Sequence, residues 1–184
     1  MTAGPDDEEL LSRTARDPAS FEPLVQRHST ALHGYFARRA PTAADDLLAE
    51  LWLQAYATRR GFDPARGSVR AWLFGVARNV LSTHWRRLAA ARPDLPRAGG
   101  DDDPWEAVDS RLDAAAVAPR LRDLLSQLPA DERELLLLVA WEQLTPSEAA
   151  AVVGIPAATA RTRLHRARSR MRSGAPLDLT GERT

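Results

Sequence analysis

Cysteine and lysine are both missing from this 184-residue chain. Without cysteine there is no disulfide framework, no thiolate zinc knuckle and no thiol nucleophile. With lysine absent, all 25 basic side chains are arginine, balanced by 25 Asp and Glu for a formal net charge of zero. Arginine used this uniformly is what a GC-rich coding bias produces, so any single arginine is weaker evidence of bidentate recognition than usual. No apolar run reaches the roughly 20 residues needed to span a bilayer, and "MTAGPDDEELL" is acidic with no apolar signal-peptide core. Membrane insertion is not expected, and a cytoplasmic location is. The four histidines, His28, His33, His84 and His165, are scattered, without carboxylates at metal-ligand spacing. A phosphate-cradling glycine loop and a nucleophile motif are also lacking. The chain is therefore expected to hold no metal, cofactor or catalytic residue, and not to be an enzyme. His28 falls on an apolar stripe and reads as a core or boundary residue.

What the chain does have is helical periodicity and segregated charge. Apolar residues recur at helical rather than strand spacing, so an all-α protein is expected. Asp17-Pro18 reads as an N-cap with proline at the first helical position. Phe21, Leu24, Val25, His28, Leu32, Tyr35 and Phe36 then form one stripe. Pro41 interrupts, and Thr42 is placed to cap a second helix that turns Leu47, Leu48, Leu51, Trp52, Ala55 and Tyr56 inward and ends at Gly61. Ser68 is placed to cap a third, with Val69, Trp72, Leu73, Val76, Val80 and Leu81 buried. A shorter helix around Glu8–Arg16 precedes these. Between Ala91 and Pro104, "RPDLPRAGGDDDP" brings prolines, glycines and an acidic run, the composition of a flexible acidic linker. Two small helical domains are expected: residues 1–90, then a linker at 91–113, a second domain at 114–173 and a tail at 174–184. Helices of the second domain are expected near 118–128, 130–142, 146–153 and 157–172.

The second domain carries the sharpest local signal. Thr145-Pro146-Ser147-Glu148 is a capping box with proline at the first helical position. Ala149, Ala150 and Val153 line the short helix, and Gly154 stands where a left-handed turn is needed. The following helix has a narrow apolar seam of Ala157, Ala160, Leu164, Ala167 and Met171. Small residues at 149 and 150 let two helices cross closely, as a helix-turn-helix requires. The opposite face presents Thr159, Arg161, Thr162, His165, Arg166 and Ser169. From Arg161 to Arg172 there are six arginines and no acidic residue. Such a face suits a DNA major groove, with side chains near the helix start reading base edges and later arginines holding phosphates.

These residues resemble the extracytoplasmic-function (ECF) sigma factors, small members of the bacterial sigma-70 family. "DDLLAELWLQAY" and "VRAWLFGVARN" are similar to family region 2, and "RTRLHRARS", with the helices before it, to region 4. The resemblance implies a protein that binds core RNA polymerase and directs transcription initiation, with region 2 recognising and melting a −10 element and region 4 recognising a −35 element. It places Asp45, Asp46, Glu50 and Gln54 on a helix face that docks on a polymerase clamp helix offering arginines. The family usually has glutamine at Ala49, so one polar docking contact fewer is expected. The resemblance assigns Arg66, Gly67, Ser68, Arg70, Arg78, Asn79, Arg86 and Arg87 to −10 DNA, the loop surrounding a flipped base and the last two arginines contacting backbone. Melting needs such a pocket and such cations. It assigns Arg161, Thr162, His165 and Arg166 to −35 base edges, with Thr159, Arg168 and Ser169 in the same interface. Arg163 and Arg168 either hold phosphates or close the domain. The family enters this helix with Gly-Thr-Val, where this chain has Ala158-Thr159-Ala160. Trp72 reads as core, and Trp85 is open between core and base stacking. An anti-sigma factor is implied as a further partner, and a monomer when free.

The rival reading is a stand-alone helix-turn-helix transcriptional regulator. It leaves "DDLLAELWLQAY" and "VRAWLFGVARN" without a task and normally needs dimerisation to read two half-sites. No extended heptad pattern provides it. A helical adaptor with merely solvated basic faces is a third reading.

Overall fold

The computed structural model describes residues 5–91 and 118–174, and all regular structure among them is helical. The acidic linker and the tail read from the sequence lie, save for Ala91 and Gly174, outside the described residues. The chain divides into two compact units, Met1–Arg111 and Leu112–Thr184.

The first unit opens with α1 (Asp7–Arg13), capped by the Asp6 carboxylate, which accepts from the Glu9 N–H at 2.7 Å. It ends three residues sooner than the sequence suggests, because Thr14 folds back on Leu11, its hydroxyl donating to that carbonyl at 2.6 Å. Asp17 caps as expected, accepting from the Ala19 N–H, but what it starts is a 3-10 turn at Pro18–Phe21. Helix α2 (Glu22–Arg39) follows. Its stripe is buried at Phe21, Leu24, His28, Leu32, Tyr35 and Phe36, with Val25 half-buried.

Thr42 does not cap α3 (Ala44–Thr58). The 3-10 turn Pro41–Ala43 intervenes, in which the Ala43 N–H reaches the Ala40 carbonyl at 3.0 Å. That leaves Thr42 exposed, with no donor of the helix start to accept. Within α3, Leu47, Leu51 and Ala55 are buried, while Leu48, Trp52 and Tyr56 are half-buried. Trp52 and Tyr56 set their rings against Phe21, edge to face, at 5.9 and 5.2 Å. Gly61 ends a 3-10 turn (Arg59–Gly61) rather than α3 itself.

Ser68 caps α4 (Val69–Ala91) as expected, its hydroxyl accepting from the Ala71 N–H at 3.2 Å. Beyond the expected stripe, α4 also buries Ala71, Phe74 and Ala77. The reason is its central place: α1, α2 and α3 all pack against it. Trp72, expected in the core, is half-buried.

The second unit holds α5 (Ala118–Ser126), α6 (Ala130–Ala140), α7 (Pro146–Val153) and α8 (Ala157–Gly174). Helix α8 packs on the other three. The capping box is complete: Thr145 accepts from the Glu148 N–H at 3.2 Å while the Glu148 carboxylate accepts from the Thr145 N–H at 2.9 Å. Gly154 adopts φ 79°, ψ 33°, the left-handed turn that spares glycine the Cβ clash other residues meet. Val152 rather than Val153 is buried beside Ala149 and Ala150. The seam of α8 is buried at Ala160, Leu164 and Ala167, with Ala157 and Met171 half-buried at its ends. Leu135, Leu137 and Leu138 complete the core, while Leu136, Val139 and Trp141 are half-buried.

Candidate functional site

Three surfaces hold the side chains singled out in the sequence. On α8, burying one seam forces the other face outward. Arg161, Thr162, His165, Arg166, Arg168 and Ser169 are exposed and Thr159 is half-buried. The Thr162 hydroxyl donates to the Ala158 carbonyl at 3.1 Å, which leaves only its lone pairs for a partner. Two arginines of this helix pair with carboxylates of α6. Arg163 pairs with Asp131 of α6 at 2.5 Å, and Arg170 with the buried Glu132 at 2.5 Å. Beside this face, Leu121, Leu125, Leu136, Leu137, Trp141 and Met171 line an apolar groove of about 500 Å³, with Arg168 and Arg172 at its wall.

The second surface is the loop before α4 and the exposed side of that helix. Asp63 accepts from the Ala65 N–H at 3.0 Å and caps a 3-10 turn, Pro64–Arg66. Gly67 follows at φ 141°, a conformation L side chains rarely adopt, and so only glycine lets the loop drop into the Ser68 cap. Phe62 and Trp72 pack edge to face at 5.8 Å and tie the loop to α4. Arg66 is exposed, and Gly67 and Ser68 half-buried. Helical spacing brings Asn79 and Arg86, both exposed, onto one face of α4. It does not bring Arg70 there: nine residues from Asn79, Arg70 points about half a turn away. Arg70 is half-buried, its guanidinium 5.4 Å from the Phe74 ring centre. Arg78 is half-buried to the side of the exposed face. Trp85 is half-buried and packs on His84 at 5.2 Å, with an indole N–H that has no hydrogen-bond partner.

The third surface is the polar face of α3. Asp46 and Gln54 are exposed and Glu50 half-buried, one turn apart. Asp45 is exposed, 3.0 Å from the His33 Nε2. Glu50 pairs across to Arg87 of α4 at 3.5 Å, which joins a residue read for docking to one read for DNA. Sequence reasoning passed over Leu53 on this same face, which is 75% exposed. Its signal was there to find: it lies seven residues from Asp46, nearly two full turns, and so shares that face.

His28 is a boundary residue held by a partner. Its Nε2 lies 2.5 Å from the Asp7 carboxylate, which also accepts from Arg27 at 2.8 Å. Burial works against ionisation of Asp7, yet the hydrogen bonds from Arg27 and His28, and their charge, outweigh it and hold this carboxyl below the ordinary aspartate value. Among the described residues no three His, Asp or Glu gather as a metal site would need, and no helix is long and apolar enough to cross a membrane.

Residues 24–91 match the model of sigma-70 region 2 and residues 119–171 that of sigma-70, region 4. The chain is 32% identical to the ECF RNA polymerase sigma factor RpoE of Cereibacter sphaeroides, over 87% of this chain and 88% of that one. The chain belongs to the ECF sigma factor family. As an ECF sigma factor it is a transcription protein that recognises promoters and serves initiation by RNA polymerase. A second relative, the ECF sigma factor SigC of Mycobacterium tuberculosis, is 31% identical over 98% of this sigma factor and 100% of its own length. Among solved structures, CnrH in complex with the cytosolic domain of CnrY superposes with a TM-score of 0.62 at 27% identity, covering 91% of this chain and 95% of that one.

Proposed function

We propose that this sigma factor divides initiation among the three surfaces. The face of Asp45, Asp46, Glu50 and Gln54 docks on a basic helix of core RNA polymerase. The loop Arg66–Ser68, with Arg78 and Asn79, receives −10 DNA and an unstacked base, Arg70 meets that DNA from the other side of α4, and Arg86 and Arg87 hold the strand's backbone. Helix α8 enters the −35 major groove with Thr159, Arg161, Thr162, His165, Arg166 and Ser169 toward the bases and Arg168 at the edge. The apolar groove beside α8 gives the second unit a seat on the polymerase flap. The division follows domains at 1–90 and 114–173 joined by the linker 91–113. No step of this work needs a catalytic residue, and its place is the cytoplasm. An anti-sigma protein is a fitting regulator, since the relative CnrH binds the cytosolic domain of CnrY. The free chain is a monomer.

The observation that carries this reading is the exposure, on separate units of one chain, of an acidic face on α3 and a basic face on α8. A stand-alone regulator would use only the second. Size exclusion with purified core RNA polymerase tests it: the chain co-elutes, and reversing both Asp46 and Glu50 to arginine abolishes co-elution. Binding to duplex DNA without any co-elution would instead establish the stand-alone regulator. On promoters, Arg166→Ala is expected to cost about 1–3 kcal/mol at its own −35 base pair and little at variants of that pair. Equal weakening on every promoter would mark a phosphate contact.

A further inference from the structure

The face of α3 read as the docking surface is less a row of charges than its acidic residues suggest. Asp45 lies against His33 and Glu50 against Arg87, in exposed pairs that a docking partner's cations can replace. At the middle of the face stands Leu53, 75% exposed, far more than the 42% of Leu88, the other large exposed apolar residue described. One turn to either side of Leu53 are Ala49 and Ala57, both exposed. Leucine flanked by alanine at i−4 and i+4 makes a single ridge with shallow grooves beside it. That relief allows a second helix to lie close, ridge into groove. The acidic residues then form a rim around an apolar centre, the usual division of labour in protein interfaces. Ala49, which stands where the family places glutamine, is a loss as a polar contact but a gain as space.

We infer that Leu53, seated between Ala49 and Ala57, is the apolar anchor by which this chain docks on core RNA polymerase, with Asp46 and Glu50 orienting a basic helix around it. The inference rests on the reading of α3 as the docking face. The occupant is a polymerase helix with cationic side chains, because the rim is acidic, rather than a second copy of this chain, whose own rim would repel it.

The test is the affinity of the full-length chain for purified core polymerase, wild type against Leu53→Ala and against Glu50→Arg, at low and at high salt. Leu53 is exposed, so its truncation should leave the melting temperature unchanged, which controls for folding. The expected result is at least about a tenfold loss for Leu53→Ala, similar at both salt concentrations, while the Glu50→Arg loss shrinks as salt screens it. If Glu50→Arg weakens binding and Leu53→Ala does not, the anchor is wrong and the docking face stands. If neither changes affinity, α3 is not the docking face and both fail. If instead the free chain shows a concentration-dependent mass that Leu53→Ala abolishes, with polymerase affinity untouched, the ridge is a self-association site and the inference is overturned.

Discussion

At the centre of the first unit Tyr35 meets Phe36 and Phe74 edge to face at 5.6 and 5.7 Å, whereas the helices of the second meet over Ala149, Ala150, Ala160 and Ala167, each no more than 2% exposed. One core is filled by ring volume. The other fills its centre with Leu135, Leu138 and Leu164 but leaves volume out at Ala149, Ala150 and Ala160, so that α7 and α8 approach closely enough to form a helix-turn-helix. The first core is therefore most vulnerable where a ring is shrunk, and the α7–α8 contact of the second where an alanine is enlarged.

The largest expected effect is Phe74→Ala. A ring buried to this degree leaves a cavity on truncation and should cost about 3–5 kcal/mol. Amide exchange should rise through α2, α3 and α4 and stay unchanged in α6 to α8. Loss of protection in both units would mean that they unfold as one cooperative body. Next is Ala160→Leu, expected to cost about 1–3 kcal/mol by overpacking, with exchange rising in α7 and α8 alone. If it is tolerated without loss, close approach of the backbones is not what builds the second core.

A smaller effect is expected at the edge of the first unit. Asp7→Asn removes a charge that ties α1 to α2 through Arg27 and His28 and should cost about 1–2 kcal/mol near neutral pH. Because the Asp7 carboxyl titrates lower in the folded chain than in the unfolded one, its contribution is complete above about pH 4 and fades as pH falls through the folded value. Urea titrations across that range should show wild type and variant converging on acidification. A difference that stays constant with pH would show that packing, not ionisation, is what Asp7 supplies.

Legibility in the sequence followed the locality of the signal. The second unit's helices were placed to within two residues, because the Thr145 box and Gly154 are each decided by a few adjacent residues. Thr42 misled because a capping residue is defined by the backbone it meets, and Pro41 had already committed that backbone to a 3-10 turn. Phe74 was missed because an apolar stripe assumes one buried face, and α4 is covered from three sides. Val152 and Val153 could not be told apart in a helix of only eight residues, too few to fix a phase. At the candidate site, the exposed faces of α3 and α8 were legible from periodicity. The pairing of Arg163 and Arg170 was not, since Asp131 and Glu132 lie more than thirty residues away and meet them only once α6 is folded against α8.

Those two ion pairs bear on how tightly the protein's grip on DNA depends on its surroundings. Each phosphate neutralised on a duplex displaces condensed counterions and adds about 0.9 to the slope of log affinity against log salt. Arg163 and Arg170 each have a carboxylate of α6 to leave before they can serve a phosphate, so the six arginines of α8 are not six equal cations to the duplex. With Arg161 and Arg166 turned to the bases as well, its share of that slope should fall below the roughly 5.5 that six phosphate contacts would give. An arginine count read from the sequence would overstate the ionic sensitivity of this helix.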